Sequence, residues 1–141
     1  MTSHRLSAWE NVRVRMVLAV VACGLAAMPA AAAPLPNGNA AAGQKLFARC
    51  AACHRIGPNA VNAMGPVLNG VVGRHAGGLP GYAYSPAMKK YGKTWSEATL
   101  AQFLAAPMKT VPGTKMFYPG LPKPQDQADI IAYLKQAGGK K

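Results

Sequence analysis

Acidic side chains are almost missing from this chain: four Asp and Glu stand against 16 Lys and Arg, a formal charge of +12 over 141 residues. So large an excess points to acidic partners, and by itself it does not choose among nucleic acid, anionic lipid and an acidic protein face. The lysines form no run interleaved with aromatics, which makes nucleic acid the weakest of the three. Convincing strand runs are missing too, which removes a thioredoxin-like alternation of strands and helices. Cysteine and histidine are scarce, three of each. That scarcity excludes a disulfide framework and leaves a zinc site short of ligands. The length fits one small domain and leaves little room for a second.

No charge interrupts the stretch from Met16 to Ala33, and Arg5, Arg13 and Arg15 precede it. The arrangement resembles a secretory signal peptide cleaved near Ala30 to Ala33, so that residues 1–33 are removed and 34–141 form the domain. Arg13 and Arg15 are not adjacent, which favours export of an unfolded chain over twin-arginine export. An uncleaved membrane anchor, and a lipoprotein box in which Cys23 is acylated, are the alternative readings. Residues 34–141 keep 13 basic and three acidic groups, a charge of +10 on 108 residues.

What the domain does have is "CAACH", Cys50 to His54. A disulfide between cysteines so close in sequence closes a tiny loop and stabilises little. Covalent haem attachment accounts for all three side chains. Each thiol adds to one vinyl group of the porphyrin edge, and the adjacent imidazole of His54 lies beneath the iron as its proximal ligand. One such motif means one haem.

Activity then depends on the sixth iron position, for which His75, Met64, Met88, Met108 and Met116 are the candidates. Met116 follows "VPGT", where Pro112 and Gly113 force a turn that presents a side chain from a loop. The other methionines read as apolar filler or partly exposed side chains, and His75 reads as a surface histidine in a Gly-rich loop.

Three helices are legible from pattern alone. "NAAAGQKLFARC" carries Leu46 and Phe47 on one side and runs toward the haem cysteines. "TWSEATLAQFLAAP" places Thr94 three residues before Glu97 as a capping box, sets Leu100, Phe103 and Leu104 at helical spacing, and stops at Pro107. "PQDQADIIAYLKQAGG" begins after Pro124, shows Ile130, Tyr133, Leu134 and Ala137 on one face, and ends at Gly138. Three or four short helices cannot bury enough surface at this size, so the haem supplies the missing core.

With "MGPVLNGVVGR", "GYAYSPAMKK", "VPGTKMF" and "ADIIAYLK" following the haem motif in order, residues 40 to 137 resemble the class I c-type cytochromes. The resemblance implies an all-α cytochrome c fold wrapped around one covalent haem c. It implies Met116 as distal ligand opposite His54, whose second ring nitrogen the Pro66 carbonyl holds. Arg74, Tyr84, Ser85, Trp95 and Thr114 match positions that bond or neutralise the haem propionates. With both axial positions filled, the expected role is a soluble, monomeric, periplasmic electron carrier and not an enzyme. A fixed haem subunit of a larger dehydrogenase or oxidase, and a weak peroxidase, are the alternatives.

Donors in keeping with that role are a quinol-oxidising cytochrome complex or a dehydrogenase; acceptors are an oxidase, a photosynthetic reaction centre or a peroxidase. Lys45, Arg49, Lys109, Lys115 and Lys123 match a basic ring that meets the acidic faces of such partners, while Met108 and Pro122 stand where the family commonly has lysine. Phe103 and Met88 replace polar side chains near the distal sulfur, which implies a drier distal pocket. No nucleic acid and no stable membrane insertion are expected.

Overall fold

The computed structural model describes residues 34–139; the leader expected at 1–33, with Cys23, lies outside them. Five helices follow in order: α1 (Ala40–Phe47), α2 (Pro86–Tyr91), α3 (Glu97–Ala105), α4 (Pro107–Thr110) and α5 (Pro124–Gly138). Among the described residues the only bridge pairing is an isolated antiparallel one between His75 and Thr94. None of these helices is long and apolar enough to cross a membrane.

The ends of the domain meet through α1 and α5. Asn39 caps α1 by accepting from the Ala42 amide at 3.0 Å, while its own amide donates to Asp129 Oδ1 of α5 at 2.7 Å. The two helices approach most closely at the buried Gly43, where any Cβ would overlap the Asp129 carbonyl and the Tyr133 Cβ. Beside this contact the Phe47 and Tyr133 rings lie 5.2 Å apart. Gly43→Ala is therefore expected to destabilise the domain by about 2–3 kcal/mol, the range for forcing extra volume into a packed interior. A urea midpoint equal to wild type would contradict this contact.

α3 lies on α5, and its start differs from the sequence expectation. Ser96, not Thr94, is the N-cap, accepting from the Thr99 amide at 3.1 Å. The reason is that residues 94 and 95 are held extended: the Trp95 amide donates to the Arg74 carbonyl at 2.9 Å and its carbonyl accepts from the Gly73 amide at 2.8 Å. Glu97 reaches Lys135 of α5 at 2.5 Å instead of folding back onto a cap. Both groups are half exposed, so the pair contributes little. Pro107 ends α3 as expected and also opens α4, where its missing N–H is no loss.

The core is formed by Leu100, Phe103 and Leu104 of α3, Ile130, Ile131 and Leu134 of α5, and Val71, Trp95, Val111 and Leu121 from the connecting segments. These apolar faces converge on the cavity described next.

Candidate functional site

The thiol-bearing segment continues the line of α1 as a series of backbone-bonded turns. Cys50 N donates to Phe47 O at 2.8 Å, Cys53 N to Cys50 O at 3.0 Å and His54 N to Cys50 O at 2.8 Å. Position of both cysteines and the histidine is thus fixed by main-chain bonds. Burial raises the Cys50 thiol above its ordinary value, with Cys53 adding to the rise and Arg49 opposing it.

His54 is fixed on a second side. Its Nδ1 lies 2.8 Å from the Pro66 carbonyl, which can only accept, so Nδ1 carries the proton and Nε2 keeps its lone pair. Burial lowers the ring below 6.5, the Pro66 bond opposes that shift, and the Arg74 charge adds to it. Gly65 sits directly against the imidazole; a Cβ there would lie 2.5 Å from Cε1. Only glycine leaves the ring its place.

Met116 is carried on a turn of a separate chain segment. Val111 O accepts from the Thr114 amide at 3.0 Å across Pro112 and Gly113, with Gly113 at φ 87, a region that suits glycine. The Thr114 hydroxyl then accepts from the Met116 amide at 3.2 Å. Lys115 Nζ donates to the Ala83 carbonyl at 2.8 Å, tying this turn to the segment that carries Tyr84 and Ser85.

All nine side chains singled out from the sequence, Cys50, Cys53, His54, Arg74, Tyr84, Ser85, Trp95, Thr114 and Met116, line one cavity of about 310 Å³. Leu68, Val71, Leu100, Leu104, Ile130 and Leu134 make most of the rest of its wall apolar, and Phe103 and Met88 face it as well. The Arg74 guanidinium donates to the Asn69 and Val67 carbonyls at 3.2 and 3.1 Å. Burial raises the Tyr84 phenol, the Arg74 charge drawing it partly back. Ser85 caps α2 by accepting from the Met88 amide, which leaves its own proton to donate. One polar rim on an otherwise oily cavity suits a flat apolar ring with carboxylates at one edge.

Sequence reasoning passed over Tyr82 and Phe117, which also line the cavity, and gave Met64 no role. Tyr82 donates to the Met64 carbonyl at 2.7 Å, and the Met64 sulfur lies 3.4 Å from Cys53 Sγ. The alternation in "GYAY" was the available signal for Tyr82. His75 is exposed and its ring bonds only the carbonyl of its neighbour Ala76, in line with a surface histidine.

The residues present fit a porphyrin. Two free thiols stand on the wall, an imidazole with one nitrogen anchored and one free stands beside them, and glycine alone fits against that imidazole. Fold and cavity together define an all-helical haem-binding domain.

The chain belongs to the cytochrome c family, whose pattern it matches over residues 40–138. It is 57% identical over 99 residues to cytochrome c2 of Rhodoblastus acidophilus, a match covering 70% of this chain and 92% of that one. Cytochrome c-554 of Methylosinus trichosporium is 44% identical over 134 residues, covering 94% of this chain and 98% of its own. Among solved structures, cytochrome cH from Methylobacterium extorquens is 56% identical with a TM-score of 0.66, covering 70% of this chain and 99% of that chain. The cofactor is therefore a covalently attached c-type haem, and the activity belongs to electron transfer.

Proposed function

We propose that this protein is a periplasmic single-electron shuttle whose haem iron is held between His54 and Met116. The observation that carries the proposal is that both side chains line one apolar cavity from separate chain segments, one fixed by turns after α1 and the other by the Pro112–Gly113 turn. The haem supplies one reversible electron, Fe(III) to Fe(II), and no bond chemistry. Cys50 and Cys53 tether it by thioethers. His54 donates through Nδ1 to Pro66, which raises the basicity of its free nitrogen. Met116 contributes a soft sulfur that favours the reduced metal. Arg74, Tyr84, Ser85, Trp95 and Thr114 offer donors to the propionates, whose burial without partners is costly.

Exchange with partners would be outer-sphere, through the bound haem. Arg49 and Lys115 line the cavity, and Lys45, Lys109 and Lys123 are exposed. Such a ring speeds encounter with an acidic donor or acceptor at low salt and leaves affinity weak. Met108, 52% exposed, and Phe117, 84% exposed, supply short-range apolar contact next to it.

Export through a leader at residues 1–33 accompanies this reading. The 94% coverage by the Methylosinus cytochrome takes in most of that segment, which supports a shared leader. The domain proper begins near Pro34.

Carbon monoxide added to the reduced protein tests the proposal. Refusal, together with a far-red charge-transfer band in the oxidised spectrum, is the expected outcome for a sulfur-ligated shuttle. Rapid binding would mean an open iron and an enzyme or gas sensor instead.

A further inference from the structure

A second cleft, of about 380 Å³, lies away from the haem cavity and shares no wall residue with it. Tyr91 at the end of α2, Lys93, Gln102 of α3, Ala106, and Lys109 and Thr110 of α4 form its walls. No carboxylate is among them. The one ion pair among the described residues is Lys135 with Glu97, so neither Lys93 nor Lys109 has an acidic partner.

The cleft is also organised. Lys93 Nζ stands 5.3 Å from the centre of the Tyr91 ring, held there by the ring's negative face. Tyr91 is in turn fixed against Trp95, with ring centres 5.5 Å apart. The Thr110 hydroxyl donates to the Gln102 carbonyl at 3.0 Å, which locks α4 to α3 and sets Lys109 relative to Gln102. One feature is unexplained by the fold: the Tyr91 hydroxyl is buried and has no hydrogen-bond partner. Folded proteins rarely leave a buried donor in that state.

Two ammonium groups and a carboxamide on converging walls are a donor set in search of a compact anion, with the Tyr91 ring as the floor that fixes Lys93. We infer that this cleft binds a phosphate dianion, either free or as the terminal group of a small phosphate ester. A charge of about −2 matches the two lysines, and tetrahedral oxygens reach donors on several walls at once. A protein carboxylate on a partner surface fits less well, because the groups surround a recess of small-molecule size. Tyr91 offers no ring face for stacking a base, since Trp95 and Lys93 lie against it.

The site has a consequence for docking, and this consequence alone rests on the electron-shuttle reading. Lys109 belongs both to the cleft and to the basic ring. An occupied cleft therefore removes positive charge from the face that meets acidic partners and slows their encounter.

The test is titration of the haem-loaded protein with inorganic phosphate, and separately with glycerol 3-phosphate, at constant ionic strength, read by amide chemical shifts. Saturable shifts concentrated at residues 91–93 and 102–110 are expected. Lys93→Ala is expected to weaken binding about tenfold, the usual effect of losing a hydrogen bond to a charged group. Lys89→Ala combined with Lys90→Ala removes the same sign of charge from the outside of α2 and leaves binding within about twofold.

Tighter binding of the ester identifies an ester as the natural occupant; equal or weaker binding identifies free phosphate. Shifts spread evenly over the basic surface, or a Lys89/Lys90 double variant as impaired as Lys93→Ala, overturn the site. Because binding is read directly, such a failure leaves the electron-transfer reading untouched. If phosphate binds but does not slow reduction by an acidic partner, only the docking consequence falls.

Discussion

A Met116→Ala protein is expected to lose the far-red band of the oxidised form and to fall in reduction potential by on the order of 0.1–0.2 V, a modest part of the ~0.8 V over which axial ligation moves haem potentials. The thioether is a soft donor that stabilises ferrous iron, and alanine offers nothing in its place. The fold should survive. Met116 is only half-buried, and the turn that carries it is closed by main-chain atoms and the Thr114 hydroxyl, none of which the substitution removes. Far-ultraviolet circular dichroism matching wild type, with an altered visible spectrum and redox titration, is the anticipated pattern. An unchanged spectrum and potential would mean that Met116 does not bind the iron, and the electron-shuttle account would fall with it.

The second large effect is on folding. A Cys50→Ala, Cys53→Ala protein purified free of haem is expected to be largely unfolded. The cavity of about 310 Å³ lies where α3, α5 and the Val71 and Trp95 segments turn their apolar sides. Leaving such a volume unfilled costs about 7 kcal/mol at ~24 cal/mol per Å³. That is comparable to the whole stability of a small domain, about 5–15 kcal/mol. Helix content by circular dichroism should drop, and thermal unfolding should lose its cooperative step. A haem-free protein with wild-type helicity and a sharp transition would show that the polypeptide alone sustains its core. This expectation also suits an exported chain that acquires its cofactor after crossing the membrane.

Much of this was legible in the residues. "CAACH" defines its chemistry by spacing, and α1, α3 and α5 are long enough for an apolar face to repeat. The helices α2 and α4 run only six and four residues, under two turns, so no period can establish itself. Their local signals were present nonetheless: Ser85 before Pro86, and Gly92 at φ 61 after Tyr91. The cap of α3 was misplaced because Thr94 and Ser96 both suit the role, and only the long-range pairing of Trp95 with residues 73 and 74 decides between them. Tyr82 and Phe117 were missed because a site wall drawn from distant segments leaves no local pattern. The phosphate cleft was invisible for the same reason, its walls coming from α2, α3 and α4 and the residues between them.

His54 and Met116, which line the same cavity, are gripped very unequally. His54 is held by the Cys50 carbonyl through its amide, by the Pro66 carbonyl through its ring, and by the bare backbone of Gly65 at its flank. Met116 hangs from one turn and the Lys115 latch to Ala83. If both bind iron as proposed, the sulfur is the group expected to let go first under heat, denaturant or a competing base. Stress on such a site would open it on the Met116 side, and an incoming ligand would meet the iron there.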